Sequence, residues 1–249
     1  MNEYLRDDER GAMRAAGKVA ARFLKKLRWV IKPGITTADI EVFFENFLTR
    51  YPGMEAAFKG FSGYPAALCV SLNDEVIHGI PSTERIVRAG DLVSVDIGIR
   101  YRGIYVDTAR TYAAGKVSAQ ARTLLHVTHK ALREGIRSAR CGATVGDVGW
   151  AIQRCVESHG FSVIRKFVGH GIGRNLHCAP EVPNFGSAGA GSVLKEYTAI
   201  AIEPMVAAGH HDVHVRGDGW TATTSDGSLS AHWEHTVLIT ARGPWVITE

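Results

Sequence analysis

Four carboxylates stand where carboxylates are costly. Asp96 lies in VSVDIGI, Glu203 in AIAIEPMV and Glu234 in AHWEHTVLI, and none of these runs offers a Lys or Arg within a residue or two. Asp107 lies in the segment that answers the first run, Ile104–Thr111. Burying one unpaired carboxylate is expensive, and burying four without compensation is untenable. A shared positive centre would satisfy all of them. Four carboxylates outweigh one divalent ion, so two ions fit better. Oxygen-rich ligation with one imidazole suits Mn, Fe, Co or Zn in a two-metal site. The imidazoles are His170 and His177 in KFVGHGIGRNLHCAP, and His78 in HGIP. Gly169 and Gly171 flank His170 and let backbone approach a site closely. The GxGxxG-like spacing here lacks the lead-in strand and later acid of a dinucleotide site. Histidines in such turns beside carboxylates are candidates for ligation or proton transfer.

The elements that must position these groups follow from periodicity. Residues 90–111 alternate with a period of two, turn at Tyr101-Arg102-Gly103 and run back, which predicts a hairpin. Asp96 and Asp107 then share one face, opposite or diagonal to each other. Strands are also predicted at Ala66–Leu72, at Val76–Ile80 with His78 inside, at Thr198–Val206 and at Ala231–Thr240. Gly209–Leu229 reads as a polar, Gly-rich loop. Helical spacing predicts Asp7–Val30, a second helix capped by Thr36 or Thr37, and a third at Ala119–Ser138. The stretch Ala139–Ser158 lies over Ile31–Arg50, with Gly142 on Gly34, Thr144 on Thr36, Asp147 on Asp39 and Val148 on Ile40. Helix, helix, then strands recurs in both halves, about 1–115 and 116–249, as a two-fold pseudo-repeat. The expected class is α+β, with a sheet in the middle and helices outside. No Pro/Ser-rich linker interrupts the chain, so 1–249 is read as one domain.

A chain of 249 residues can bury a sizeable core. A net charge of +4 permits nucleic-acid contact without arguing for it. The four cysteines form no C-x-x-C pair, which fits free thiols in a reducing cytoplasm. The polar start carries no apolar signal region, and no apolar run is long enough to span a bilayer.

With HGIP (His78–Pro81), the D-x10-D pair Asp96 and Asp107, GHGIG (Gly169–Gly173), IEPM (Ile202–Met205) and SLSAHWEHT (Ser228–Thr236), the chain resembles type I methionine aminopeptidase, from about Glu3 to its end. It is similar to the short bacterial-type form, without a zinc-finger extension. The resemblance implies the pita-bread (creatinase/aminopeptidase) fold, a central antiparallel sheet with helices outside. It implies removal of the N-terminal methionine from nascent proteins and peptides whose second residue is small, by attack of a hydroxide bridging two metals. It places metal ligands at Asp96, Asp107, His170, Glu203 and Glu234, with Asp107 and Glu234 bridging two divalent ions (Co, Mn, Fe or Zn). The catalytic residues by motif are His78, His177 and Glu203, with Glu203 as proton carrier. Substrate binding falls to Phe58, Phe61, Tyr64, Cys69, His78, Leu176, His177 and Trp220. A monovalent cation is expected near Asn73, Glu75 and Ser230. Expected partners are the N-termini of nascent polypeptides, with transient ribosome contact, no specific nucleic acid and no membrane. The protein is expected to be a cytoplasmic monomer. Two residues depart from the pattern. Phe61 stands where many relatives have tyrosine, and Cys178 follows His177 where an acid is common. Proline-directed aminopeptidases and prolidases share fold and ligands but usually carry a large N-terminal domain. A metal-free binding protein on this fold would have lost ligands that are present here.

Overall fold

Arg102 and Gly103 both adopt left-handed backbone, with φ of 51° and 79°. Two such residues make the tight turn whose twist matches that of paired strands. In the computed structural model, which describes residues 4–249, this turn joins β4 (Leu92–Tyr101) to β5 (Ile104–Ala113) over ten residue pairs. The turn fixes the register. Gly98 faces Asp107 and Asp96 faces Ala109, so the two aspartates are diagonal neighbours. β1 (Met54–Ala56) and β2 (Cys69–Leu72) flank β4 in the same antiparallel sheet.

A five-stranded antiparallel sheet serves the second half, in the order β15 (Gly243–Val246), β14 (His235–Thr240), β9 (Ala199–Ile202), β7 (Gly169–Ile172), β8 (Cys178–Val182). Two small sheets complete the described strands. One pairs β10 (Met205–Ala207) with β6 (Ser162–Val163) and β13 (Ser230–His232). The other pairs β12 (Ala222–Thr224) with β3 (Glu75–Ile77) and β11 (Val213–Val215).

The helices α1 (Asp7–Val30) and α2 (Thr37–Leu48) share one apolar core with β2, β4 and β5. The helices α3 (Ala119–Ser138) and α4 (Val145–Glu157) share another with β9 and β14. Each second helix opens on the same device. The Thr36 hydroxyl accepts the Asp39 N–H at 3.1 Å while Asp39 accepts the Thr36 N–H at 2.7 Å. Thr144 and Asp147 repeat this at 3.2 and 2.7 Å.

Several expected boundaries shift for physical reasons. The strand predicted from Ala66 begins at Cys69. The strand predicted through His78 stops at Ile77, because His78 itself is left-handed with φ 60° and cannot extend a strand. The strand predicted at Thr198–Val206 is broken into β9 and β10 at Glu203-Pro204, where proline has no N–H for a ladder. Ala231–Thr240 is likewise broken at Trp233-Glu234. The loop predicted at Gly209–Leu229 contains β11 and β12. Both strand breaks fall on the acids Glu203 and Glu234. Among the described residues, no helix is long and apolar enough to cross a membrane.

Candidate active site and metal centre

The hairpin positions the first two acids, and β5 then carries the third into place. Asp107 N–H donates to the Thr236 hydroxyl at 2.9 Å, and that hydroxyl donates back to the Asp107 carbonyl at 2.8 Å. One residue on, the Thr108 hydroxyl donates to the Glu234 carbonyl at 2.7 Å. Glu234 N–H donates to the Ala109 carbonyl at 2.9 Å. These bonds close backbone groups that the strand break at Glu234 would leave open. Glu203 is held at its own break by Asn184, whose side-chain amide donates to its carbonyl at 3.1 Å. His170, on β7, turns Nδ1 to the Gly171 carbonyl at 3.0 Å. That bond leaves Nε2 facing Glu203 at 3.6 Å and Asp107 at 4.0 Å.

The donor atoms form three overlapping groups. Asp96, Asp107 and Glu234 place ligand atoms within 4.8 Å of one another, and so do His170, Glu203 and Glu234. A third group, Asp107, His170 and His177, adds Asp107 to a second set. Asp107 and Glu234 are thus the carboxylates that belong to more than one group. One oxygen each of Asp96, Asp107 and Glu234 is buried with no hydrogen-bond partner among the described residues. Buried carboxylate oxygens of that kind require an explanation, and a cation is one. The donor set, four carboxylates and an imidazole, fits a pair of divalent ions.

Burial dominates the electrostatics. Desolvation pushes Asp96 up to about 7 against a lowering hydrogen bond with Asp107, and it raises Asp107, Glu203 and Glu234 well above ordinary carboxylate values, where neighbouring carboxylates add to the rise of those three. Burial pulls His78 and His235 down to about 4, and His170 and His232 to about 3. The two sets act oppositely on stability. The histidines bind fewer protons folded than unfolded, so they favour folding as pH rises toward about 6.5, their unfolded value. The carboxylates bind more protons folded than unfolded, so they disfavour folding as pH rises from about 4 through their raised values. Above pH about 6.5 only the carboxylates act. Each net proton then costs about 1.4 kcal/mol per pH unit, or roughly 4–8 °C in Tm between pH 6.5 and 8. Scanning calorimetry of chelator-treated protein should show that fall, and metal-saturated protein should not. A flat or rising Tm in chelator would count against the carboxylate cluster as drawn.

A cavity of about 250 Å³ lies over this cluster, lined by all five of the expected ligands. All eight residues expected at the substrate also line it: Phe58, Phe61, Tyr64, Cys69, His78, Leu176, His177 and Trp220. Gly98 lets the wall close, since a Cβ there would stand 2.5 Å from the Phe58 ring. Tyr64 meets Trp220 edge-on at 5.1 Å, and its hydroxyl faces the Gly79 and Leu68 carbonyls at 3.0 and 3.2 Å. Burial keeps the Cys69 thiol and the Tyr64 phenol protonated by raising both. Phe61, without a hydroxyl, sets its ring edge-on to His177 at 5.1 Å. A second cavity, of about 480 Å³, shares His78, His170, His177 and Glu203 with the first and adds Phe167 and Cys178. His78 and His177 therefore stand where the two cavities meet.

Three further residues at the site are not among those named from the sequence. Ser62 lines the first cavity in a left-handed turn. Phe167 lies 5.8 Å from the His78 ring. His232 is buried with Nε2 3.8 Å from Glu203, and neither ring nitrogen has a hydrogen-bond partner among the described residues. Its place two residues before Glu234 was the available clue. Away from the cavity, the Ser230 hydroxyl faces the Glu75 carbonyl at 2.9 Å and the Asn73 carbonyl at 3.1 Å. The Glu75 carboxylate is engaged by Arg216, at 2.7 Å, and by Arg85.

The chain matches metallopeptidase family M24 over residues 11–241. It is 44% identical to the methionine aminopeptidase of Clostridium acetobutylicum, across 97% of this chain and 96% of that one. The crystal structure of methionine aminopeptidase from Thermotoga maritima superposes with a TM-score of 0.98 at 44% identity, covering both chains fully. Prolidase from Pyrococcus furiosus superposes at 0.79 with 20% identity, and this chain covers 66% of its length, so the likeness there is one of fold.

Proposed function

The chain belongs to metallopeptidase family M24 and is a metal-dependent aminopeptidase, and on that premise we propose that it removes the N-terminal methionine from polypeptides whose second residue is small. The observation that carries this reading is the cluster of four carboxylates, three buried and Asp96 half-buried, with His170 at the floor of an aromatic-walled cavity. Asp96, Asp107, His170, Glu203 and Glu234 would hold two divalent ions, with Asp107 and Glu234 shared; Co, Mn, Fe and Zn all suit the donor set. When bound, such ions bring a water toward neutral pKa and polarise the substrate carbonyl.

The protein's own residues do the rest. Phe58, Phe61, Tyr64, Leu176 and Trp220 surround the thioether, with the neutral Cys69 thiol beside it. Glu203, raised by burial, takes a proton from the nucleophile and returns it to the leaving amine. His177 donates to the oxyanion that develops on the attacked carbonyl. His78 hydrogen-bonds the amide beyond the scissile bond. Its left-handed backbone is strain of the kind that accumulates at active sites. The carbonyls of Asn73 and Glu75 with the Ser230 hydroxyl would take a monovalent cation. The substrates are the N-termini of nascent polypeptides, met in the cytoplasm by a monomer.

Second-residue selectivity follows from the two cavities. The attacked carbonyl sits between the methionine cavity and an exit walled by His78 and His177. A bulky second side chain meets that wall and tilts the carbonyl, and a 1 Å displacement costs on the order of 10²-fold. Met-Ala-Ser should be cleaved and Ala-Pro-Ala left intact, with chelator abolishing the first reaction. Across a Met-X-Ser series, kcat/KM for X = Ala should exceed that for X = Leu by about 10²-fold. Equal rates would remove the pocket assignment, and preferential cleavage of Ala-Pro-Ala would favour the proline-directed reading.

A further inference from the structure

The loop between β10 and β11 turns two histidines and an acid toward one point. His210 Nδ1 lies 3.2 Å from His211 Nδ1 and 3.2 Å from Asp212 Oδ2. His211 Nδ1 lies 3.9 Å from Asp212 Oδ1, and the three residues' ligand atoms fall within 4.8 Å of one another. Two ligands on one tetrahedral zinc, each about 2.0–2.1 Å from the ion, stand about 3.3 Å apart. The two 3.2 Å separations reproduce that edge. A surface ion pair between His210 and Asp212 would explain one of them, and such pairs are worth little. A hydrogen bond between the two imidazoles would explain the other, but a neutral His210 Nδ1 carries either one hydrogen or one lone pair and cannot serve both contacts fully, whereas one ion accounts for both.

The loop is held in this shape by contacts that leave the imidazoles and the Asp212 carboxylate free to converge. His210 N–H donates to Asp226 Oδ2 at 2.7 Å, and Ser225 N–H donates to the Asp212 carbonyl at 2.8 Å. Gly209 permits the first of these, because a Cβ there would lie 2.1 Å from Asp226 Oδ2. Asp226 also accepts the Ser228 N–H at 3.0 Å, which ties both sides of the loop together. A donor set fixed by its backbone gives up less conformational freedom on binding. We propose that His210, His211 and Asp212 form a second metal centre, outside the catalytic cavity, for a borderline divalent ion such as zinc. Three protein donors leave at least one position to water, so the ion exchanges. Imidazole ligation places copper and nickel among the competitors and magnesium and calcium outside the class. The ion would stiffen the loop that follows β10, which the His210–Asp226 and Ser225–Asp212 bonds already tie to the turn beside β12.

The test is zinc titration of full-length, chelator-stripped protein by calorimetry, with the His210→Ala/His211→Ala variant in parallel. The variant should bind one zinc equivalent fewer than the parent, with the equivalents bound in the catalytic cavity and the peptidase rate unchanged. An Asp107→Asn/Glu234→Gln protein, impaired in the cavity, should still lose one equivalent on adding the histidine substitutions. Asp212→Asn alone should weaken that equivalent at least about tenfold, the lower end of what disturbing a metal site costs. In the Asp107→Asn/Glu234→Gln protein, one equivalent of Cu²⁺ should give an electron paramagnetic resonance spectrum split by two nitrogens, and the histidine substitutions should abolish it. Identical zinc stoichiometry with and without His210 and His211 overturns the proposal, whatever the cavity binds.

Discussion

Replacing Asp107 or Glu234 by alanine is expected to abolish peptide cleavage and strip bound metal. These two acids share donor groups with both proposed ion positions, so removing either one opens both shells. Several kcal/mol of charge stabilisation disappear with the ions, and at about 1.4 kcal/mol per tenfold the rate should fall by at least about 10³-fold. Loss of fold would give the same rate, so stability must be read alongside. In the metal-free state Asp107 and Glu234 repel each other and the neighbouring acids. Asp107→Asn, which keeps the side-chain shape, should therefore leave the chelated protein at least as stable as its parent near pH 7.5. Elemental analysis showing two tightly held ions in either alanine variant would end the bridging assignment.

The second large effect is expected at His177. Its ring sits 4.3 Å from that of His170 and between the two cavities, and burial lowers its pKa so that it is neutral at working pH. A neutral imidazole can donate to a developing oxyanion, and loss of one such donor costs about 10²–10³-fold in kcat. His177→Ala should show that loss with near-parental metal content. The geometry supplies a rival, since His177 also joins Asp107 and His170 in a possible ligand group. A variant that loses an ion together with its activity would make His177 a ligand. A kcat within a factor of a few would remove it from the chemistry.

Much of this arrangement is legible in the chain because the signals are long. The ten-residue strands of the β4–β5 hairpin and the first three helices repeat their periods often enough to be recognised, and the fourth helix is read from its match to the second. The acids in apolar runs announce a charge problem that local residues cannot solve. What stayed open was short-range geometry. Whether Asp96 and Asp107 were opposite or diagonal depended on a two-residue turn. The break at Glu203 is signalled by Pro204 inside its run, whereas the break at Glu234 lies hidden, because a kink leaves the hydrophobic pattern intact. Phe167 reaches the site through a contact with the distant His78, which no spacing encodes, whereas Ser62 beside Phe61 and His232 two residues before Glu234 adjoin residues that the motifs mark. The His210–Asp212 cluster lay in a stretch legible only as polar loop.

The Arg102-Gly103 turn is exposed, and by exposure alone it would be chosen to receive a tag or a grafted loop. The pairing it sets argues the reverse. A side chain's face on a strand is fixed by parity, and one extra residue that shifts the register by one turns every side chain of β5 over. Asp107 would then leave the cavity while Asp96 stayed; Thr108 would lose the bond that seats Glu234, and Thr236 those that hold the Asp107 backbone. The tolerance of this chain to insertion is thus set by counting residues to the proposed metal ligands. A solvent-facing turn, six positions from Asp96 and four from Asp107, is thereby part of the proposed active site: a change in its length that shifts the register by one moves a proposed metal ligand out of the cavity.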